Sequence, residues 1–316
     1  MPLRRDTSLD RITEIVYRAP QHPAWGEPAV PYTATLKGTQ VLRLKGGEDY
    51  RRMLGCTPAE YGLLQPLIVQ WLALVYVGDA AYEHAQTRGS STVADGAWKR
   101  RMRELAQGHG LYVPELEEVL DDLERYYRLE GEVLLGEVEL TDEVLADVLR
   151  IRSSDFFGLL RLTGMARGQA HDPEYEWLLR KLWLLLEIVD DLDSYQADVA
   201  ANSFNTLRLM VFRYGADRAV AQLRALEAAV VDELCAGLAR AGKENLLRVL
   251  GSSTLLPLES APAQWVLRLL PEAALRRLAP RLMRAELGLL LREVPEPVAE
   301  KGPRPSRPGD RTGAAN

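Results

Sequence analysis

An apolar run from Leu63 to Gly78, opened by Thr57-Pro58, dominates the first third of the chain. Thr57 suits a helix cap and Pro58 the first helical turn, so the spacing predicts a helix from Pro58 to about Thr87, where Arg88-Gly89-Ser90-Ser91 breaks the pattern. The run carries Gln65, Pro66 and Gln70 and is shorter than a bilayer span needs, which fits a helix buried in protein. A helix that is apolar on most sides must be enclosed by others. Further helices are predicted near 95–108, 114–135, 141–163, 173–199, 203–213, 216–241 and 243–251, and the Leu/Arg/Ala-rich C-terminal part is helical to about 292. Leu116, Val119, Leu120 and Leu123, for example, recur at steps of three and four. Few stretches alternate with period two, so the expected class is all-α.

Residues 1–40 are rich in turn formers (Pro20, Pro23, Pro28, Pro31) and read as an irregular N-terminal arm. Nothing marks a boundary inside 41–292, where one helical domain is expected; 47% hydrophobic residues suffice for its core. Residues 293–316 hold five prolines and no core formers after Val298, the composition of a disordered tail. A net charge of −6 argues against broad attraction to nucleic acid or to an anionic membrane, so a small anionic substrate would need a local positive site. Cys56 and Cys235 stand far apart, as free thiols in a reducing compartment do. Met-Pro-Leu-Arg-Arg-Asp runs into the polar Thr7–Thr13 segment, so neither a secretory signal nor a transmembrane segment is expected, and the location is cytoplasmic.

A second apolar run begins at Trp177 and ends in Val189-Asp190-Asp191-Leu192-Asp193-Ser194-Tyr195-Gln196-Ala197-Asp198. On a helix, residues four apart lie about 40° from one another, so Asp190, Ser194 and Asp198 form one stripe of oxygens. Such a stripe suits a hard cation; the competing reading is an exposed acidic face. Asp79 and Glu83, late in the first apolar helix, form an i, i+4 acidic pair open to the same two readings. Glu117-Glu118 and Asp121-Asp122, near Arg125 and Arg128, read as a solvated, salt-bridged face.

The segment from Asp190 to Asp198 resembles the second magnesium motif of class I terpene synthases, (Asn/Asp)-Asp-Xaa-Xaa-(Ser/Thr)-Xaa-Xaa-Xaa-Glu, with Asp198 in place of the terminal Glu. Asp79-Ala80-Ala81-Tyr82-Glu83 resembles the Asp-Asp-Xaa-Xaa-Asp motif of terpene synthases and trans-isoprenyl diphosphate synthases, with Arg88-Gly89 following. Arg152-Ser153 through Phe156-Phe157 is similar to the Lys-Thr-Xaa-Xaa-Leu-Phe segment of isoprenyl synthases. Lys45-Gly46-Gly47-Glu48-Asp49-Tyr50-Arg51-Arg52 occupies the place of the elongating enzymes' Gly-Gly-Lys-Arg-Xaa-Arg, with acids where the basic pair would hold isopentenyl diphosphate. That exchange speaks against elongation.

The resemblance implies a class I terpenoid synthase-like helical bundle around a central cavity. Mg²⁺ would be held by Asp79, Glu83, Asp190, Ser194 and Asp198. Arg152, Asp190 and Asp191 would serve ionisation of an allylic prenyl diphosphate of fifteen or twenty carbons, with Arg152, Ser153, Phe156, Phe157, Trp183 and Tyr195 contacting the substrate. A homodimer is possible within the same resemblance. The alternatives are a trans-prenyltransferase, marked by a basic co-substrate pocket, and a non-catalytic partner subunit of the same fold.

Overall fold

The computed structural model describes residues 7–17, 30–44, 47–93, 95–252, 260–291 and 293–299, and every regular element among them is helical. In chain order these are α1 (Thr7–Tyr17), α2 (Tyr32–Leu44), α3 (Gly47–Met53), α4 (Pro58–Thr87), α5 (Ala97–Gly108), α6 (Pro114–Leu134) and α7 (Asp142–Ile151). There follow α8 (Ser154–Ala166), α9 (Pro173–Ala201), α10 (Thr206–Tyr214), α11 (Ala216–Leu238), α12 (Lys243–Gly251), α13 (Ala261–Leu269) and α14 (Glu272–Leu290).

The start of α4 follows from a complete capping box: Thr57 Oγ1 accepts from Glu60 N at 3.2 Å, and Glu60 Oε2 accepts from Thr57 N at 2.8 Å. By length and hydropathy α4 could cross a membrane, but 56% of its most apolar window is buried against other helices, as in a core helix. Trp71 and Ile68 are fully buried, and Trp71 Nε1 donates to the Asp155 carbonyl of α8 at 3.0 Å. Gly158 permits that approach, since a Cβ there would lie 2.4 Å from Trp71 Cζ2. The helix expected over 141–163 is divided at Arg152-Ser153 into α7 and α8.

The expected irregular arm is corrected by α1 and α2. Ile12 of α1 is fully buried and Ser8 bonds Glu60, while Pro31 opens α2 by accepting from Ala34 N and Thr35 N at 3.1 Å each. At Pro31 the ring begins a helix and does not prevent one; Pro20, Pro23 and Pro28 lie outside the described residues. The expected tail is corrected over 293–299, where Val294 packs on the core and Val298 N donates to Tyr195 Oη at 2.9 Å. Its remainder lies outside the described residues.

The buried apolar residues form two bodies. One gathers α4, α5, α6, α8, α11, α12 and α14 around Leu178–Leu185 of α9; the other gathers α7, α10 and part of α11 around Ile188–Tyr195 of α9. Glu187 and Asp191 of α9 stand where the two meet. A polar layer therefore lies where the two bodies meet along α9.

Candidate functional site

That layer is built from five helices. Helix α9 contributes an arc holding Trp183, Glu187, Asp190, Asp191, Ser194 and Asp198, spanning about 100° around the axis. Helix α4 contributes Tyr76, Asp79 and Glu83; α6 contributes Tyr126 and Glu130; the α7–α8 junction contributes Arg152 and Asp155. The chain leaves α9 through Asn202 in the left-handed conformation (φ 55°), which returns Asn205 and Thr206 to the same arc.

Arg152 sits at the centre. Its Nη1 and Nη2 donate to the two oxygens of Asp191 at 2.5 and 2.8 Å, its Nε pairs with Glu187 at 2.8 Å, and Nη1 also reaches Thr206 Oγ1 at 3.1 Å. Asp191, 3% exposed, accepts further from Thr206 N at 2.7 Å and Thr206 Oγ1 at 2.5 Å. Glu187 also accepts from Trp183 Nε1 at 2.7 Å and Ser153 Oγ at 3.3 Å. Asp198 Oδ2 accepts from Ser194 Oγ at 2.6 Å and Asn205 Nδ2 at 2.9 Å, while Asn205 Oδ1 caps α10.

Three further carboxyls are raised above their ordinary values. Burial, then the charge of Glu83, raises Asp79 to about 6 against an opposing pull from Lys37. Burial, then Glu187, raises Asp155 to about 7; burial, then Asp79, raises Glu130 to about 8. All three keep part of their surface accessible, as side chains facing an internal crevice do. Asp79, Glu130, Asp155, Glu187 and Asp191 are thus gathered within range of one another's charge around Arg152. Among the described residues, no three metal-ligating His, Cys, Asp or Glu side chains converge on one point.

Beside this interior lies a cleft of about 620 Å³. Its walls are apolar and aromatic, including Val41, Tyr50, Tyr76, Trp183 and Leu290, and Asp49, Glu187 and Asp190 stand at its polar edge. Asp79 is one turn beyond Tyr76 on α4.

These positions separate the expected site residues. Asp190 lines the cleft; Ser194 and Asp198 lie on the same arc, and Asp79 and Glu83 rise from α4 at the polar layer. Trp183 lines the cleft, and Phe156 stacks behind it at 3.8 Å between centroids without reaching the opening. Five of the expected residues are engaged or buried elsewhere. Arg152 is bound to two carboxylates, and Asp191 is enclosed by Arg152 and Thr206. Phe157 lies under Arg180 at 4.0 Å, and Tyr195 is buried in the second apolar body, so neither lines the cleft. Ser153, 8% exposed, serves Glu187.

Glu130, Asp155, Glu187, Asn205 and Thr206 were not singled out from sequence. Glu187 alone carried a signal, standing four residues after Trp183 and four before Asp191 on the acidic arc. The acids at 117–122 form a salt-bridged face as expected, but with other partners: Lys99 meets Asp121, Arg103 meets Glu117 and Arg150 meets Asp122. Arg125 instead pairs with Asp147, and Arg128 with Glu132. No protein-family model matches the chain, and no curated protein or solved structure shows significant similarity to it.

Proposed function

We propose that the chain is a class I terpenoid synthase-like enzyme that ionises an allylic prenyl diphosphate and releases diphosphate. The observation that carries this reading is an apolar, aromatic cleft whose polar edge adjoins an interior of five carboxyls with one guanidinium. An amphipathic substrate fits such a cleft: a prenyl chain against Trp183, Tyr50, Val41 and Leu290, and an anionic head toward Asp190. Carboxylates repel a diphosphate unless cations stand between them.

The donor chemistry fits Mg²⁺, since Asp79, Glu83, Asp190, Ser194 and Asp198 offer hard oxygen atoms alone. Bound there, Mg²⁺ would supply positive charge to the leaving diphosphate. The chain's own residues do the rest. Arg152 pairs with Asp191 and Glu187 and so ties the α7–α8 junction to α9. Asn205 and Ser194 orient Asp198. Trp183, stacked on Phe156, offers a rigid ring face to positive charge developing on the allylic carbons and helps exclude water.

Transfer to a second substrate is the other reading that an observation favours. Glu48 pairs with Arg51 and Arg52, so the acids at 48–49 do not present bare negative charge. Arg51 and Arg52 line a separate cleft of about 670 Å³ with Lys243, Arg248 and Arg268, a basic pocket of the kind an anionic co-substrate needs. The deciding experiment incubates the purified protein and Mg²⁺ with fifteen- and twenty-carbon allylic diphosphates, with and without isopentenyl diphosphate, and identifies products by mass spectrometry. Hydrocarbon or terpene alcohol from an allylic substrate alone is expected, and Asp190→Ala should remove most of the diphosphate release with little change in melting temperature. Longer diphosphates, formed only with isopentenyl diphosphate, would establish transfer. No turnover of any substrate would defeat the enzymatic reading.

A further inference from the structure

Helix α13 exposes a ridge that packs on no other element among the described residues. Trp265, Val266 and Leu269 are 65, 52 and 63% exposed, and they share one arc of about 100° on the helix. Leu267 on the opposite side is buried at 4% and anchors the helix, while Lys243 Nζ of α12 donates to the carbonyls of Arg268 and Leu270 at 2.8 Å each and fixes its C-terminal end. The ridge is thus presented by a seated helix. An exposed Trp flanked by two aliphatic neighbours is unusual on a surface that meets only water.

The sequence of α13 and α14 is also one-sided in charge. Over Ala261–Leu291 the chain carries Arg268, Arg276, Arg277, Arg281 and Arg284 against Glu272 and Glu286, in a protein whose net charge is −6. Glu286 is only 2% exposed, whereas Arg268, Arg277 and Arg281 are exposed. Arg268 borders the apolar arc and lines the basic cleft with Lys243, Arg248, Arg51 and Arg52. Apolar ridge and positive border therefore meet on one short helix.

We infer that α13 is a docking surface for an anionic phospholipid membrane. Trp265, Val266 and Leu269 enter the boundary between headgroups and acyl chains, and Arg268, with the basic cleft beside it, attracts the phosphate layer. A tryptophan suits this depth because its ring is apolar while its N–H finds a polar partner. The net charge of −6 opposes nonspecific attraction, so binding depends on this face and not on the chain as a whole. The inference stands independently of the catalytic reading, because none of these residues belongs to the acid-lined interior.

The test is flotation of the full chain with vesicles of neutral phosphatidylcholine alone or with about one third phosphatidylserine. Capture is expected on the anionic vesicles, with affinity falling about tenfold or more in Trp265→Asp and by a smaller factor in Arg268→Gln. The unchanged helical circular dichroism of both variants would show that the fold survives. Absence of capture, equal capture by neutral vesicles, or full binding by Trp265→Asp would each overturn the assignment. A dimer in solution that Trp265→Asp dissociates, without vesicle binding, would assign the ridge to a second copy of the chain instead.

Discussion

Two acidic regions of this molecule have similar composition and opposite environments. On the outer side of α6, Glu117, Asp121 and Asp122 each meet a cation from another helix or from the α7 end: Arg103, Lys99 and Arg150. In the layer between α4, α6, α8 and α9, five carboxyls share Arg152, and three of them are raised to about 6, 7 and 8. The first region is a balanced face whose single pairs each stabilise little, although Lys99 within it is buried. The second carries an excess of negative charge that only protons or added cations can relieve. What separates them is which helix faces each acid, a property of the tertiary arrangement and not of the motif.

The sharpest way to break this contrast is to remove the guanidinium of Arg152. Arg152→Met leaves the buried Asp191 and the half-buried Glu187 without their shared partner, and loss of one side of a buried pair such as Arg152–Asp191 costs about 3–5 kcal/mol. A large fall in melting temperature is expected, partly restored in Arg152→Met/Asp191→Asn. If Arg152→Met melted like the parent, the interior layer would not be held as described.

A smaller effect should appear as a dependence on pH and cations. A carboxyl whose pKa is higher folded than unfolded binds protons that unfolding releases, so its contribution is complete below the unfolded value of about 4. Stability is then lost as pH rises through the folded values of Asp79, Asp155 and Glu130, up to about 8. Denaturant titrations without divalent ions should show lower stability at pH 8 than at pH 5, by on the order of a few kcal/mol. Millimolar Mg²⁺ should recover part of that loss at pH 8 and little at pH 5. A stability that rises steadily from pH 5 to pH 8 would remove the case for an unbalanced interior.

How much of this was legible in sequence follows from the range of each interaction. Helix α4 could be delimited at both ends because its cap, Thr57-Pro58 with Glu60, and its stop at Arg88-Gly89 are local chemistry. The stripe of Asp190, Ser194 and Asp198 was equally plain, since helical period alone places them together. Glu130 and Asp155 were not, because each is a single acid whose inward direction is set by neighbouring helices. Pairing was hidden for the same reason: Arg152 looked like a phosphate ligand by its place in a motif, yet Asp191 and Glu187 occupy its guanidinium across 39 and 35 residues of chain. The break at Arg152-Ser153 that allows this has neither proline nor glycine to announce it.

The outer acids provide the smallest effect and the control for the whole comparison. Asp121 is 64% exposed by side chain, and its partner Lys99, 7% exposed, also pairs with Glu124 at 2.7 Å. Asp121→Asn therefore leaves the buried ammonium one carboxylate, and a change of no more than about 1 kcal/mol is expected, with the pH dependence between 5 and 8 unaltered. Removing both partners in Asp121→Asn/Glu124→Gln is different, because Lys99 would then hold an unpaired charge in a largely buried position. The double change should cost clearly more than the sum of the two single ones, and a double-mutant cycle measures that excess directly. Additive single effects would mean that Lys99 finds water without either acid, and that even the outer face of α6 is held by packing and not by its ion pairs.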